Sequence, residues 1–172
     1  MPRRFPRIAA YHCGPFRLAG VLRGPGRIGT GCGAVSTGEV GVLNYRRRAS
    51  DQTALNCHRA LRHVGLPVSA YLPLNAIPWF DGTADRASIE EGAMLNADLI
   101  ARHAITRVVL CGAEAHRAEP HLAARLGPEM RFVRLPHPGT QGLNAHARRH
   151  GLAGIEAARE ALFDGFARAL AD

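Results

Sequence analysis

Two polar residues stand where apolar runs of the chain end. Residues 71–80 read YLPLNAIPWF and residues 135–144 read LPHPGTQGLN, so Asn75 and His137 each follow a predicted strand and precede a proline-containing loop. A further strand pattern, RVVLC at residues 107–111, lies between them in the sequence. The carboxyl ends of parallel strands meet at one edge of a sheet, where open α/β sheets bind ligands. The sequence therefore predicts an amide and an imidazole at one ligand-binding edge.

The amide of Asn75 has a chemistry that suits a nucleobase. It can donate to a carbonyl oxygen and accept from a ring N–H at the same time, which allows it to recognise a base edge that presents both groups. An unpaired amide on a buried strand would cost about 1–3 kcal/mol, so such a residue needs partners. The alternative is that Asn75 caps the loop before Pro78.

The imidazole of His137 is suited to electrostatic catalysis. Pro136 and Pro138 restrict the backbone on both sides of it, which favours a side chain held in place to donate one hydrogen bond. Such a donor can stabilise negative charge that develops on a leaving group. The alternative is an ordinary surface histidine, which is also what we expect of the histidines on predicted helices: His58, His63, His103, His116 and His121.

The elements that must position these two residues follow regular patterns from about residue 50 onward. Apolar residues at helical spacing and the following Gly65 predict a helix over 51–64. Ser88 and Glu91 form a predicted capping box, after which apolar residues continue on one helix face to Ala104. The other predicted elements are strands at 71–77, 107–111 and 131–135, and helices at 113–126 and 155–170.

Alternating strands and helices predict the fold class. They indicate an α/β protein with three layers, in which a mostly parallel central sheet carries helices on both faces. A chain of 172 residues is expected to form a single domain. The first fifty residues are atypical: they contain nine glycines and nine arginines but one acidic residue, Glu39, and show little pattern beyond a strand at 16–22. Two explanations stay open for this segment, divergence and a shifted reading frame.

The chain is strongly basic, with 22 Lys and Arg residues against 14 Asp and Glu residues and a net charge of +8. A polyanionic partner is one explanation, and the arginine-rich composition of a GC-rich genome is the other. Two clusters favour phosphate contact, namely Arg46, Arg47 and Arg48, and Arg148 with Arg149. No apolar run is long enough to span a bilayer, and no secretion signal is present, so we expect a cytoplasmic protein without membrane contact.

Three other patterns carry less chemistry. His146 and His150 have the i, i+4 spacing of metal ligands but lack an acidic partner, so a basic helix end is the better interpretation. The four cysteines, scattered without a C-x-x-C motif, indicate reduced thiols, and neither a metal nor a cofactor is expected. The glycines of residues 24–29, GPGRIG, match a dinucleotide fingerprint, but no helix start follows them.

From about residue 50 to its end, the chain resembles the uracil-DNA glycosylase superfamily. The resemblance rests on four segments in the expected order: DQTALN at 51–56, NAIPW at 75–79, VVLCGAEA at 108–115 and HPGT at 137–140. It implies a glycosylase-like fold and a monomeric DNA-repair enzyme that hydrolyses the N-glycosidic bond of uracil in DNA after base flipping. By that resemblance Asn75 would read uracil, His137 would be the catalytic histidine, and the loop after it would insert into DNA.

The resemblance also implies the remaining site residues. Base contacts would come from Pro78, Trp79, Gly24 and Gly26, and a contact with DNA from Leu143. The basic clusters described above, Arg46, Arg47 and Arg48, and Arg148 with Arg149, are the other predicted DNA contacts, on the ground of their charge.

Departures from the family pattern leave alternatives open. Arg23 stands where members carry an acidic or polar residue in the first motif, and Leu143 comes late for a residue that inserts into DNA. The four cysteines do not match the spacing of the iron–sulfur members. Activity is therefore expected to be weak, and a protein of the same fold that binds nucleic acid or a nucleobase without cleaving it is the alternative. A nucleoside hydrolase is a weaker third possibility, because its Asp-rich calcium site is missing.

Overall fold

The computed structural model describes residues 16–22, 52–78 and 84–171. Within these ranges the strands are β1 (Leu18–Leu22), β2 (Tyr71–Asn75), β3 (Arg107–Cys111) and β4 (Arg131–Leu135). The α-helices are α1 (Gln52–His63), α2 (Arg86–Arg102), α3 (Ala113–Leu126), α4 (Thr140–His150) and α5 (Ile155–Leu170), and a short 3-10 turn, Val68–Ala70, precedes β2.

The four described strands form one parallel sheet in the order β2-β1-β3-β4. The chain moves from β1 to one neighbour, β2, and then crosses to the other side of β1 to form β3 and β4. The strand order therefore reverses between β1 and β3, and the crevice outside the carboxyl ends of those two strands is the place where such sheets bind ligands. Leu22 and Cys111 end the two strands at this point.

Helices cover both faces of the sheet, because side chains alternate along each strand. On one face, α2 and α3 pack against residues such as Leu72, Leu74 and Leu110. On the other face, α1, α4 and α5 pack against Leu18, Val109 and their neighbours. The predicted three-layer α/β architecture is confirmed.

Most predicted elements lie where the sequence pattern indicated. The strands at 107–111 and 131–135 and the helices at 113–126 and 155–170 have the predicted bounds, whereas β2 ends at Asn75 and not at residue 77. The predicted capping box is wrong. The carboxylate of Asp85 accepts from the Ser88 N–H at 2.7 Å, so α2 begins at Arg86 and Ser88 lies inside its first turn. The sequence offers two possible N-cap residues, Asp85 and Ser88, and aspartate is as favourable as serine at this position.

A buried tyrosine at the start of β2 packs over the neighbouring strand β1. The ring of Tyr71, 1 % exposed, occupies the space that a side chain at Gly20 would need on the neighbouring strand, and it lies 6.2 Å from the ring of Phe166. Its hydroxyl has no hydrogen-bond partner among the described residues. Burial, with smaller contributions from Cys57 and Cys111, raises the pKa of Tyr71 well above its ordinary value.

We therefore expect Tyr71→Phe to stabilise the fold. Removing a buried hydroxyl without a partner should raise the free energy of unfolding by about 1 kcal/mol at neutral pH. Because the pKa of this phenol is raised in the folded state, its ionisation favours the unfolded state once the pH exceeds about 10. The advantage of the variant should therefore grow above that pH, as measured by urea unfolding at pH 7 and pH 10.5. Lower stability of the variant at both pH values would contradict this expectation.

Candidate functional site

Asn75 and His137 lie at the same edge of the sheet, on either side of the reversal in strand order. Asn75 pairs in register with Leu22, and Leu135, two residues before His137, pairs with Cys111. Three strand intervals separate β2 from β4, which corresponds to about 14 Å between their backbones. The two side chains therefore flank the crevice outside β1 and β3, at a distance that leaves room for a ligand between them.

Three glycines surround His137. Gly112 has a φ of 96°, and a β-carbon there would lie 3.0 Å from the His137 β-carbon. A β-carbon at Gly139 would lie 3.0 Å from both the His137 Nδ1 atom and the Thr53 hydroxyl oxygen, and one at Gly142 would collide with the His137 backbone. The loop can therefore pack against the start of α3 and the start of α1 only because these positions lack side chains.

A backbone hydrogen bond defines the protonation of this imidazole. The Gly139 N–H donates to the Nδ1 atom of His137 at 3.0 Å. An amide N–H can only donate, so Nδ1 must present its lone pair. In the neutral ring the proton then sits on Nε2. The site thus holds a neutral imidazole whose Nε2–H is the donor.

A buried asparagine from α1 holds the same loop. The Nδ2 atom of Asn56, a residue 1 % exposed, donates to the Pro138 carbonyl at 2.7 Å, and its Oδ1 atom accepts from the Arg159 Nε at 3.1 Å. Arg159 also forms an ion pair with Glu156, one turn earlier on α5. This network ties the loop that carries His137 to two helices.

A second buried asparagine holds the other side of the site. The Nδ2 atom of Asn96, on α2, donates to the Asn75 carbonyl at 2.8 Å, which leaves the Asn75 side chain out of that contact. Strand alternation directs the Asn75 side chain to the face of the sheet on which Tyr71 is buried. That face carries α1, the helix that also holds the His137 loop through Asn56. The side-chain amides of Asn96 and Asn56 thus hold the backbone at Asn75 and next to His137 through hydrogen bonds.

One histidine that was expected at the surface is part of this edge. The Nε2 atom of His116 lies 2.9 Å from the Leu110 carbonyl and 3.0 Å from the Leu135 carbonyl, and the side chain is half-buried. Both partners are acceptors, so Nε2 must carry a proton. His116 therefore joins the ends of β3 and β4 directly before the His137 loop. The sequence position of His116, in the first turn of a helix that directly follows a strand end, could have indicated this role.

The structure corrects the role of Leu143. This residue lies within α4, is 0 % exposed and packs against α5 and the sheet, so it is a core residue and does not protrude toward DNA. Its spacing from Ala147 follows the buried side of α4, where the resemblance implied a loop that inserts into DNA. The physical reason is that α4 packs its apolar side against the face of the sheet that α1 and α5 also cover.

The other predicted site residues are distributed as follows. Pro78 is half-buried three residues beyond Asn75. Arg148 and Arg149 are exposed in the last turn of α4, and eight residues of helix, about 12 Å, separate Arg148 from the helix start beside His137. The structure therefore does not bring these arginines together with His137. Trp79, Gly24, Gly26, Arg46, Arg47 and Arg48 lie outside the described residues.

The residues considered for metal binding have other environments. The rings of His146 and His150 have centroids 4.3 Å apart, and burial, followed by the charges of His150 and Arg149, lowers the pKa of His146. Cys57 and Cys111 are buried free thiols, and burial raises the pKa of Cys111 well above its ordinary value. No cluster of three or more His, Cys, Asp or Glu side chains that could hold a metal ion occurs in the described ranges.

None of the helices in the described part of the chain has the length and apolar character needed to cross a membrane.

Comparison with known proteins adds no assignment. No protein-family model matches the sequence, and no curated protein matches it either.

Proposed function

We propose that the protein is a DNA-repair glycosylase that hydrolyses the bond between uracil and deoxyribose after the nucleotide has been flipped out of the helix. The observation that carries the proposal is the hydrogen bond from the Gly139 N–H to the Nδ1 atom of His137. It holds a neutral imidazole at the ligand-binding edge with its Nε2–H as donor. The resemblance of segments 75–79 and 137–140 to the uracil-DNA glycosylase superfamily supports the same reaction.

The chemistry needs a donor of this kind. As the glycosidic bond breaks, its electron pair moves onto the base and positive charge develops on the sugar carbon. Water then attacks that carbon, and the proton that it loses passes through solvent to the departing uracil anion. A hydrogen bond from the His137 Nε2–H to uracil O2 stabilises the anionic base, and one donor in such a position contributes about 3–4 kcal/mol. The Asn75 amide donates to O4 and accepts from N3–H, which distinguishes uracil from cytosine.

The rate is expected to be low. Arg23 stands where family members carry the side chain that positions the attacking water. That same residue favours the second candidate, a protein that binds a flipped base or nucleic acid without cleaving it. For the glycosylase the partner is DNA, whereas the non-cleaving protein would bind nucleic acid or a nucleobase. In either case the protein acts as a monomer, and a reducing compartment such as the cytoplasm keeps Cys57 and Cys111 as thiols.

Incubation with an oligonucleotide that contains one uracil, followed by alkali, separates the two candidates. Strand breakage at the uracil position, with none at a thymine in the matched oligonucleotide, would establish a glycosylase. Tighter binding of the uracil oligonucleotide without breakage would favour the non-cleaving protein. Equal binding of both oligonucleotides without breakage would exclude both functions.

The amide of Asn75 provides a separate test. Asn75→Asp should abolish the preference for uracil over cytosine, since a carboxylate cannot donate to O4 and repels it. The backbone carbonyl that Asn96 binds is unchanged by this substitution, so the fold should persist. Competition binding of uracil- and cytosine-containing single strands measures the effect, with Asn144→Asp at an exposed site as the matched control. If a folded Asn75→Asp protein still preferred uracil over cytosine, Asn75 would have only the structural role of a strand-end cap.

A further inference from the structure

The edge of the sheet opposite the candidate site carries a net positive charge in the described part of the chain. The strands begin at the far edge of the sheet, and α1, α2, α3 and α5 end there. Seven arginines stand just before or at the strand starts or in the last turns of these helices: Arg17, Arg62, Arg102, Arg107, Arg125, Arg131 and Arg168. We call this group the basic edge.

Backbone hydrogen bonds and a contact between two rings place the strand starts and the end of α2 next to one another. The Arg17 N–H donates to the Ala70 carbonyl at 2.8 Å, and the Arg131 N–H donates to the Thr106 carbonyl at 2.9 Å. His103, which follows α2, lies with its ring 4.8 Å from that of Phe16. The strand starts and the end of α2 therefore share one side of the molecule.

The ends of α1 and α5 belong to the same side. The Arg131 side chain donates to the Ala171 carbonyl, directly after α5. The Leu66 N–H donates to the Leu61 carbonyl in the last turn of α1, and the chain then runs through Val68–Ala70 into the start of β2. Arg62 and Arg168 thus stand near the arginines of the strand starts.

Few carboxylates balance these charges. The last turns of the four helices contain no acidic residue. The acidic residues that the described part of the chain places near this edge are Glu129, in the turn before β4, and Asp98 and Asp164, one helical turn before Arg102 and Arg168. Arg17, Arg62, Arg102, Arg125 and Arg168 are exposed and form no ion pair with another described residue. At the opposite edge, carboxylates such as Glu114, Glu119 and Glu156 stand among the arginines, so the charges there are nearly balanced.

Helix dipoles explain only part of this pattern. Cations in the last turn of a helix interact favourably with its free carbonyl groups, which accounts for Arg62, Arg102, Arg125 and Arg168. This interaction does not account for the arginines at the strand starts. Arg107 and Arg131 are register partners on neighbouring strands, an arrangement in which like charges repel. Helix dipoles therefore account for four of the seven arginines and leave the three at or just before strand starts without this explanation.

We propose that the basic edge binds the phosphate backbone of nucleic acid, as a contact surface separate from the candidate site. All 22 basic residues of the chain are arginines, whose planar guanidinium groups bind phosphate through paired hydrogen bonds. Five-residue strands place the two edges about 17 Å apart. The basic edge therefore contacts a different nucleic-acid segment from the one whose base enters the site, and it holds the protein on DNA without regard to sequence.

Binding of a duplex without uracil tests this surface independently of any cleavage. The variant is Arg17→Gln with Arg62→Gln and Arg102→Gln, and fluorescence anisotropy of a labelled 20-base-pair duplex is followed from 20 to 200 mM NaCl. Each lost phosphate contact lowers the salt slope by about 0.9, so a fall of about 2–3 is expected, with at least tenfold weaker binding at low salt. Arg125→Gln with Arg168→Gln, which changes other positions, should lower the slope by about 1–2.

The matched control removes the same charge elsewhere. Arg86→Gln with Arg117→Gln and Arg134→Gln, all toward the site edge, should change duplex affinity less than twofold. Equal losses in the basic-edge and control variants, or no loss in either basic-edge variant when circular dichroism shows both folded, would overturn the proposal. Binding of a labelled polyglutamate peptide as tight as that of DNA would assign the edge to an acidic protein. Because excision is not measured, failure of the proposed glycosylase function leaves this test intact.

Discussion

Uracil excision is expected to slow by about 10²- to 10³-fold when His137 is replaced by alanine. The imidazole is the donor that the geometry offers to the departing base, and its orientation is imposed by the Gly139 N–H and by three glycines around it. Single-turnover excision at saturating protein measures the chemical step without the binding step. The wild-type rate is itself expected to be slow, so long incubations are needed.

Two comparisons make this result specific. His121→Ala removes a histidine from α3 and should leave the excision rate unchanged. Gly142→Ala retains the imidazole but introduces a β-carbon that collides with the His137 backbone, so it should lower the rate by displacing the loop. The ¹⁵N spectrum of the wild-type ring should show an unprotonated Nδ1 and a protonated Nε2. Fast excision by the His137→Ala protein would remove this residue from the mechanism.

Replacement of Asn56 is expected to have the second largest effect, because one side chain holds both the His137 loop and α5. Asn56→Leu, which keeps the number of side-chain heavy atoms and the branching at Cγ, leaves the buried Pro138 carbonyl without its donor and Arg159 without one acceptor. The free energy of unfolding should fall by about 2 kcal/mol. Urea unfolding measures this loss, and an unchanged midpoint would show that the two hydrogen bonds contribute nothing.

Asn56→Asp separates positioning from stability. The carboxylate still pairs with Arg159 but cannot donate to the Pro138 carbonyl and repels it, so the free energy of unfolding should fall by about 1–3 kcal/mol, and the rate is compared on protein that circular dichroism shows to be folded. Displacement of His137 should nevertheless lower kcat about tenfold with KM unchanged, since small misplacements of a catalytic group have large effects on rate. Asn144→Asp, at an exposed position of α4, is the matched control. A folded Asn56→Asp protein with the wild-type rate would limit Asn56 to a structural role.

The elements of the fold could be predicted from local patterns. Strands β3 and β4 and helices α3 and α5 have the predicted bounds, because the apolar residues of a strand or helix recur at a fixed short spacing. Glycine or proline next to these segments indicates where each of them begins or ends. The placement of Asn75 and His137 at one edge follows from parallel pairing alone. Local signals failed where two of them competed, as at Asp85 and Ser88, or where a proline-containing segment obscured the start of α4.

By itself, the sequence determined the three-layer α/β architecture and the edge at which an amide and an imidazole stand. Tertiary structure alone decided that Asn56 supports Pro138, 82 residues away, that Leu143 belongs to the core and that His116 joins two strand ends. It also decided that the arginines of four helix ends and three strand starts share one side. Secondary structure depends on neighbours within a few residues, whereas burial and hydrogen-bond partners depend on which distant segments pack together, and no local pattern records that.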